Sequence, residues 1–200
     1  PRLFAHSLYE TDPKLGSCIE IAEWEGGDEM LETPLFNGAD CVTAMGSDQT
    51  MDALAERLPK RTRFLPYGHR VSFSYVTKAG LEDSNPRVLA EQIVDDVVQW
   101  NQSGCLSPHA VYIEKGTTPS PDRFAELIAN EFQRREISEP RGAINERMAA
   151  TIANRRRLYE IRAANSKDTL IWSSEESTAW TVIFDNEARF QTSCLNRFLY

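Results

Sequence analysis

Short β-rich runs alternate with amphipathic helical segments along the whole of this 200-residue chain, and that alternation limits its fold more than any other feature. Each helix must bury an apolar stripe against a sheet, so the pattern predicts an α/β protein with crossover helices. Residues 18–22 and Cys41–Met45 read as strands, and Gly26-Gly27-Asp28 as a turn into a short helix. The second strand runs straight into Gly46-Ser47-Asp48, where Ser47 is a good N-cap for a helix over 48–58 that ends at Pro59. Residues 63–65 and 71–76 are further strand-like runs, separated by a turn-like stretch over 66–70.

Asn85 can cap a helix that has Pro86 at its first position. Leu89, Ile93, Val94, Val97 and Trp100 then recur at the spacing of one buried face, and Gly104 stops the run. Residues 109–114 form the next strand, which leaves Cys105 in a short helix-to-strand loop of the kind that presents side chains to substrate. Ser120-Pro121-Asp122 opens a helix with Phe124, Leu127, Ile128 and Phe132 on one stripe; 144–164 reads as helix, and 180–184 and 197–200 as strands. The cluster of Gly80, Ser84, Asn85 and Pro86 places a division within 77–85, giving segments 1–80 and 81–200. The chain opens on Pro1 with no cap or turn before its first apolar residues, so a piece of a longer protein is expected.

An apolar fraction of 41% is enough for a real core, but no apolar run approaches the roughly 20 residues of a membrane span. A soluble, cytoplasmic protein is expected, since no signal segment opens the chain. The net charge of -8 opposes general attraction to nucleic acid or anionic lipid. Cys18, Cys41, Cys105 and Cys194 form no CxxC pair or finger-type array, which predicts reduced thiols and no metal site.

Two places can carry chemistry. Cys105, preceded by Gly104, is open to approach from several sides, although a lone cysteine is more often a small buried apolar residue. The Gly46-Ser47 turn offers helix N–H groups to an anion, or is a plain strand-to-helix turn with a serine cap. No GxGxxG fingerprint is present, so a conventional dinucleotide fold is not supported. His69 and His109 could serve as bases, but structural use is the simpler expectation. Arg155-Arg156-Arg157 reads as a solvated helix face, with phosphate binding as the alternative.

The segment Gln102-Ser103-Gly104-Cys105-Leu106-Ser107-Pro108-His109, followed by a strand, resembles the nucleophile segment of acyl-CoA reductases related to the reductase of bacterial bioluminescence, a branch of the aldehyde dehydrogenase superfamily. Gly46-Ser47-Asp48-Gln49-Thr50, Tyr67-Gly68-His69-Arg70-Val71-Ser72 and Trp100-Asn101 match in the right order. The resemblance implies an aldehyde dehydrogenase-like α/β fold with a parallel sheet in α/β/α layers. Residues 1–80 would be the end of the nucleotide-binding domain and 81–200 a truncated catalytic domain. It implies Cys105 as the nucleophile, with Gly46, Ser47 and Thr50 near the pyrophosphate and adenosine of NADPH, and Tyr67 and Gly68 near the nicotinamide. Pro66 takes the place of the glutamate that activates water in the hydrolysing relatives, which suits acyl exchange between thiols.

On this resemblance the substrate is a fatty acyl-CoA or an acyl-carrying partner such as an acyl-protein synthetase or acyltransferase, the product is the fatty aldehyde, and the full-length protein is a homo-oligomer. A CoA-acylating aldehyde dehydrogenase for shorter aldehydes would use the same residues. The reading from another class is a non-catalytic relative that binds acyl groups or partner proteins.

Overall fold

The computed structural model describes residues 1–192 and 194–200, and its chain parts after His69 into two units, Pro1–His69 and Arg70–Tyr200. In the first, α1 (Arg2–Thr11) buries none of its residues, and α2 (Pro13–Gly16) follows on Asp12, whose carboxylate accepts from the Lys14 and Leu15 N–H groups. Residues 18–22, read as a strand from their alternation, join no ladder and are exposed throughout. Alternation marks a strand only where a neighbouring strand takes up its backbone groups.

Asp28 caps α3 (Glu29–Gly38), accepting from Met30 and Leu31, as the Gly-Gly-Asp turn predicts. Glu32 of α3 is buried and accepts from the Gly27 N–H at 2.9 Å, from the Trp24 indole at 3.3 Å and from Arg57. The Gly27 bond is the main cause holding the Glu32 carboxyl below its usual pKa, against the desolvation that raises it; Trp24 and Arg57 add to the lowering.

The strand β1 (Cys41–Met45), helix α4 (Asp48–Arg57) and strand β2 (Arg63–Tyr67) form a strand–helix–strand unit with the two strands parallel, Cys41 opposite Arg63 and Met45 opposite Tyr67. Pro66 and Tyr67 belong to β2, where a turn was expected. The ladder bonds run from Arg63 N–H to the Asp40 carbonyl and from Gly46 N–H to the Tyr67 carbonyl. Arg63 and Tyr67 therefore face β1 while the nitrogen of Pro66 points away, and its missing N–H costs the ladder nothing.

The second unit begins with β3 (Ser72–Val76), α5 (Lys78–Glu82) and α6 (Pro86–Val98), the last capped by Asn85 as its sequence predicts. It continues through β4 (Pro108–Ile113), α7 (Pro121–Ser138), α8 (Glu146–Asn165), β5 (Thr169–Ser173), β6 (Thr181–Asp185) and β7 (Phe198–Leu199). Residues 72–76 pair in parallel with β4, and that ladder, which no local turn signal reveals, fixes β3 to the second unit.

β4 runs parallel to β3, and β7 parallel to β6. The Tyr200 N–H donates to the His109 carbonyl at 3.1 Å and its carbonyl accepts from Val111 at 2.7 Å, which joins the two ladders in the order β3-β4-β7-β6-β5. The α/β class is as expected, with one departure from an all-parallel sheet: β5 lies antiparallel to β6. A short turn over 174–180 connects the two, and only antiparallel strands can be joined so briefly.

Alternate strand residues serve opposite faces. Trp172, Val182 and Leu199 pack with α6 and α7, through Val94, Val97, Phe124, Ile128 and Phe132, whereas Ile171, Ile183 and Phe198 pack with Ile152 and Tyr159 of α8. A sheet covered on both faces gives three layers, and the period-two pattern of its strands decides which residue meets which helix.

Arg156 corrects the reading of the arginine run. It is buried, and its guanidinium donates to Thr181 Oγ1, Ser174 Oγ and the carbonyls of Ser174, Ser177 and Trp180. Arg157 is exposed, as a solvated face requires. Of three consecutive arginines on one helix only one can face the sheet, and that one anchors α8 to the β5–β6 turn.

Candidate active site

The helix α6 ends at Val98, earlier than the expected stop at Gly104, because the next residues turn left-handed: Trp100 has φ 53 and ψ 22, Asn101 φ 51 and ψ 42, and Gln102 φ 64. This reversal carries Trp100 off the buried face on which its spacing placed it, and its side chain is 80% exposed. Left-handed backbone costs a residue bearing a Cβ roughly 1–2 kcal/mol. Three such residues in a row therefore require outside support.

That support comes from Gln102, buried at 4% exposure. Its amide Nε2 donates to the Pro108 carbonyl at 2.8 Å and the Phe198 carbonyl at 3.1 Å, and its Oε1 accepts from the Phe198 N–H at 2.7 Å. Asn196 Nδ2 donates to the Asn101 carbonyl at 2.7 Å. Within the loop the Ser103 N–H donates to the Trp100 carbonyl and the Ser107 N–H to the Gly104 carbonyl, both at 3.0 Å. Ser72 Oγ, at the start of β3, donates to the Cys105 carbonyl at 2.6 Å.

Cys105 thus sits in a tight turn between α6 and β4, its side chain exposed and its backbone fixed from β3. Cys18, Cys41 and Cys194 are exposed as well, so what distinguishes Cys105 is the held loop. Leu106 beside it is 85% exposed. His109 is buried within β4, and His69 is exposed in the first unit. An apolar cavity of about 130 Å³, walled by Val111, Ile113, Ile128, Val182, Phe184 and Tyr200, includes none of residues 102–107.

In the first unit the structure gathers Gly46, Ser47, Thr50, Tyr67 and Gly68 at the carboxyl ends of β1 and β2, where ligands sit in open α/β sheets. Ser47 Oγ accepts from the Thr50 N–H at 3.1 Å and lies 2.8 Å from Thr50 Oγ1, capping α4. A side chain would meet a close neighbour at Gly68, not at Gly46. A Cβ on Gly46 would make only ordinary contacts, the nearest at 3.4 Å, whereas one on Gly68 would lie 2.3 Å from Asp48 Oδ1. That same oxygen accepts from the His69 N–H at 2.8 Å, so the first turn of α4 and the end of β2 are tied together.

The sequence singles out Cys105 and this turn as candidates but does not reveal Gln102, Ser72 and Asn196 as holders of the cysteine loop. No local signal could have shown them, since Asn196 and Phe198 lie more than ninety residues from their partners. Among the described residues no group of three or more His, Cys, Asp or Glu could hold a metal ion, and no helix is long and apolar enough to cross a membrane.

The chain is similar to known proteins over nearly all its length. It is 21% identical over 195 residues to the long-chain acyl-protein thioester reductase of Aliivibrio fischeri, matching 94% of this chain and 37% of that protein. It therefore spans little more than a third of that curated relative. Among solved structures it resembles Proline Utilization A of Bradyrhizobium japonicum, with a TM-score of 0.61 and 11% identity over 86% of this chain and 18% of that one. It also resembles the delta-pyrroline-5-carboxylate dehydrogenase of Mycobacterium tuberculosis, with a TM-score of 0.50 and 12% identity over 87% and 35% of the two chains. These likenesses show an aldehyde dehydrogenase-like fold covering part of such chains. The family model for acyl-CoA reductase (LuxC) matches residues 1–200, and the chain belongs to that family.

Proposed function

We propose that this chain carries the acyl-accepting thiol of a fatty acyl thioester reductase, with Cys105 as nucleophile. The observation that carries the reading is the exposed cysteine on a loop held at both ends and at its own carbonyl, in a chain matched along its whole length by the acyl-CoA reductase family. Cys105 Sγ attacks the carbonyl carbon of a fatty acyl-CoA or of an acyl-carrying protein. A new carbon–sulfur bond forms, the thiol of CoA or of the partner leaves with a proton, and the acyl group stays on the protein. Backbone N–H groups around Cys105 stabilise the oxyanion of that step.

The turn Gly46–Thr50 with Tyr67 and Gly68 fits a nicotinamide dinucleotide: it is open to solvent, carries the Ser47 and Thr50 hydroxyls, and begins a ten-residue helix. When bound, NADPH supplies the hydride that brings the acyl group to the aldehyde level and frees the thiol. Pro66, on β2, offers no group to activate water, in keeping with acyl transfer and reduction rather than release of free acid.

The test is acylation by radiolabelled long-chain acyl-CoA in the intact protein. Cys105→Ala is expected to abolish the label, while Cys41→Ala and Cys194→Ala keep it. Label that survives Cys105→Ala refutes the assignment, and wild-type protein that binds acyl-CoA without becoming labelled points to an acyl-binding relative without the chemistry.

A further inference from the structure

Gln102 fills a position that side-chain packing alone does not explain. A buried primary amide is costly unless its donors and acceptor are matched, and here three hydrogen bonds match them. Those bonds go to two separate stretches of backbone: Pro108, where the cysteine loop enters β4, and Phe198, in β7. The amide therefore closes the loop across its base, spanning residues 103–107 from the left-handed turn to the first residue of the strand. Through Phe198 it also ties that base to the central sheet.

Cys105 lies midway in the closed loop, and the Ser72 hydroxyl fixes its carbonyl from the other side. Between these two restraints the thiol has little freedom to drift, although its side chain is exposed. We infer that Gln102 is a positioning residue for Cys105: its side-chain amide, bridging Pro108 and Phe198, holds the loop so that the thiol meets the acyl carbonyl in reactive geometry. This rests on the reading of Cys105 as the acyl-accepting nucleophile. Loss of a residue that acts by position lowers the rate of bond formation and leaves substrate affinity alone, because that residue touches the loop and not the acyl-CoA.

The experiment measures the rate of Cys105 acylation by palmitoyl-CoA in the intact protein, at a series of acyl-CoA concentrations, for the wild type, Gln102→Glu and Gln102→Met. Gln102→Glu keeps the shape and the acceptor for the Phe198 N–H but loses the donors; Gln102→Met keeps the length and loses all three bonds. The thermal transition and the iodoacetamide rate of Cys41 report whether the rest of the protein is intact. The expected result is a maximal acylation rate lower by about tenfold or more, with the half-saturating concentration within about twofold of wild type.

A folded variant that acylates at the wild-type rate, or one that changes only the half-saturating concentration, overturns the inference. So does loss of the thermal transition in both variants, which would make the amide a requirement of the fold rather than of the thiol's position. If wild-type Cys105 takes no acyl group at all, the nucleophile reading falls and this inference with it, a result distinct from a labelled wild type with an equally labelled variant.

Discussion

Arg156 makes five hydrogen bonds to neutral acceptors, and all of them end on the turn between β5 and β6 or on the first residue of β6. Burial is the main cause that lowers its pKa, and the like charge of Arg141 adds to it. The stabilisation comes from adding donors to turn carbonyls of which Ser174 itself satisfies only two, those of Trp180 and Ser177. Arg156→Met removes all five bonds; the Trp180 and Ser177 carbonyls then keep only the Ser174 N–H and hydroxyl, and the Ser174 carbonyl and Thr181 hydroxyl lose the guanidinium. The substitution should cost about 3 kcal/mol or more, read as a shift of the urea midpoint. Arg156→Lys should recover little, because an ammonium cannot reach five acceptors spread around a planar fork. Arg157→Ala, by contrast, should be nearly silent: its partner Glu160 is an exposed residue on the same helix.

At the scale of elements, four helices start where a side-chain cap marks them, and tertiary contacts set where α6 stops. Ser47, Thr77, Asn85 and Asn145 each accept a backbone N–H of the first turn of their own helix. Asn85→Ala removes the acceptor for the Arg87 N–H at 3.0 Å and should cost about 1 kcal/mol, with Asn85→Asp close to wild type in thermal unfolding. The far end of the same helix departs from its apolar spacing. The apolar spacing continues through Trp100, yet the chain leaves the helix after Val98, since Gln102 gains partners in β4 and β7 that a continued helix would deny it. The strand-like run at 18–22 fails for a related reason: among the described residues no strand lies beside it for its pattern to join.

For the molecule as a whole, two buried carboxylates make stability depend on acid. Burial by itself would raise Glu131 in the second unit, but bonds from Arg134 and Arg135 outweigh it and hold the carboxyl below its usual range; Glu32 in the first unit is held low chiefly by the Gly27 N–H. A depressed carboxyl contributes stability that is fully present above its unfolded pKa of about 4.3 and is lost as pH falls through the lower folded value. Stability should therefore be flat from neutral pH to about 5 and fall below about 4. Glu131→Gln should flatten that fall in proton uptake measured against denaturant unfolding, while lowering stability at pH 7.

The amino-acid sequence by itself determined the α/β class, the caps that begin the helices, the Gly46 turn and the loop bearing Cys105, because each is written in neighbouring residues through periodicity and capping chemistry. Only the tertiary structure decided that β3 belongs with β4, that β5 runs antiparallel, that the Asp48 carboxylate crowds Gly68 and not Gly46, and that Gln102, Ser72 and Asn196 hold the cysteine loop. Those outcomes depend on hydrogen bonds between residues far apart in the chain, and a polar side chain carries no local mark of the distant carbonyl it will meet.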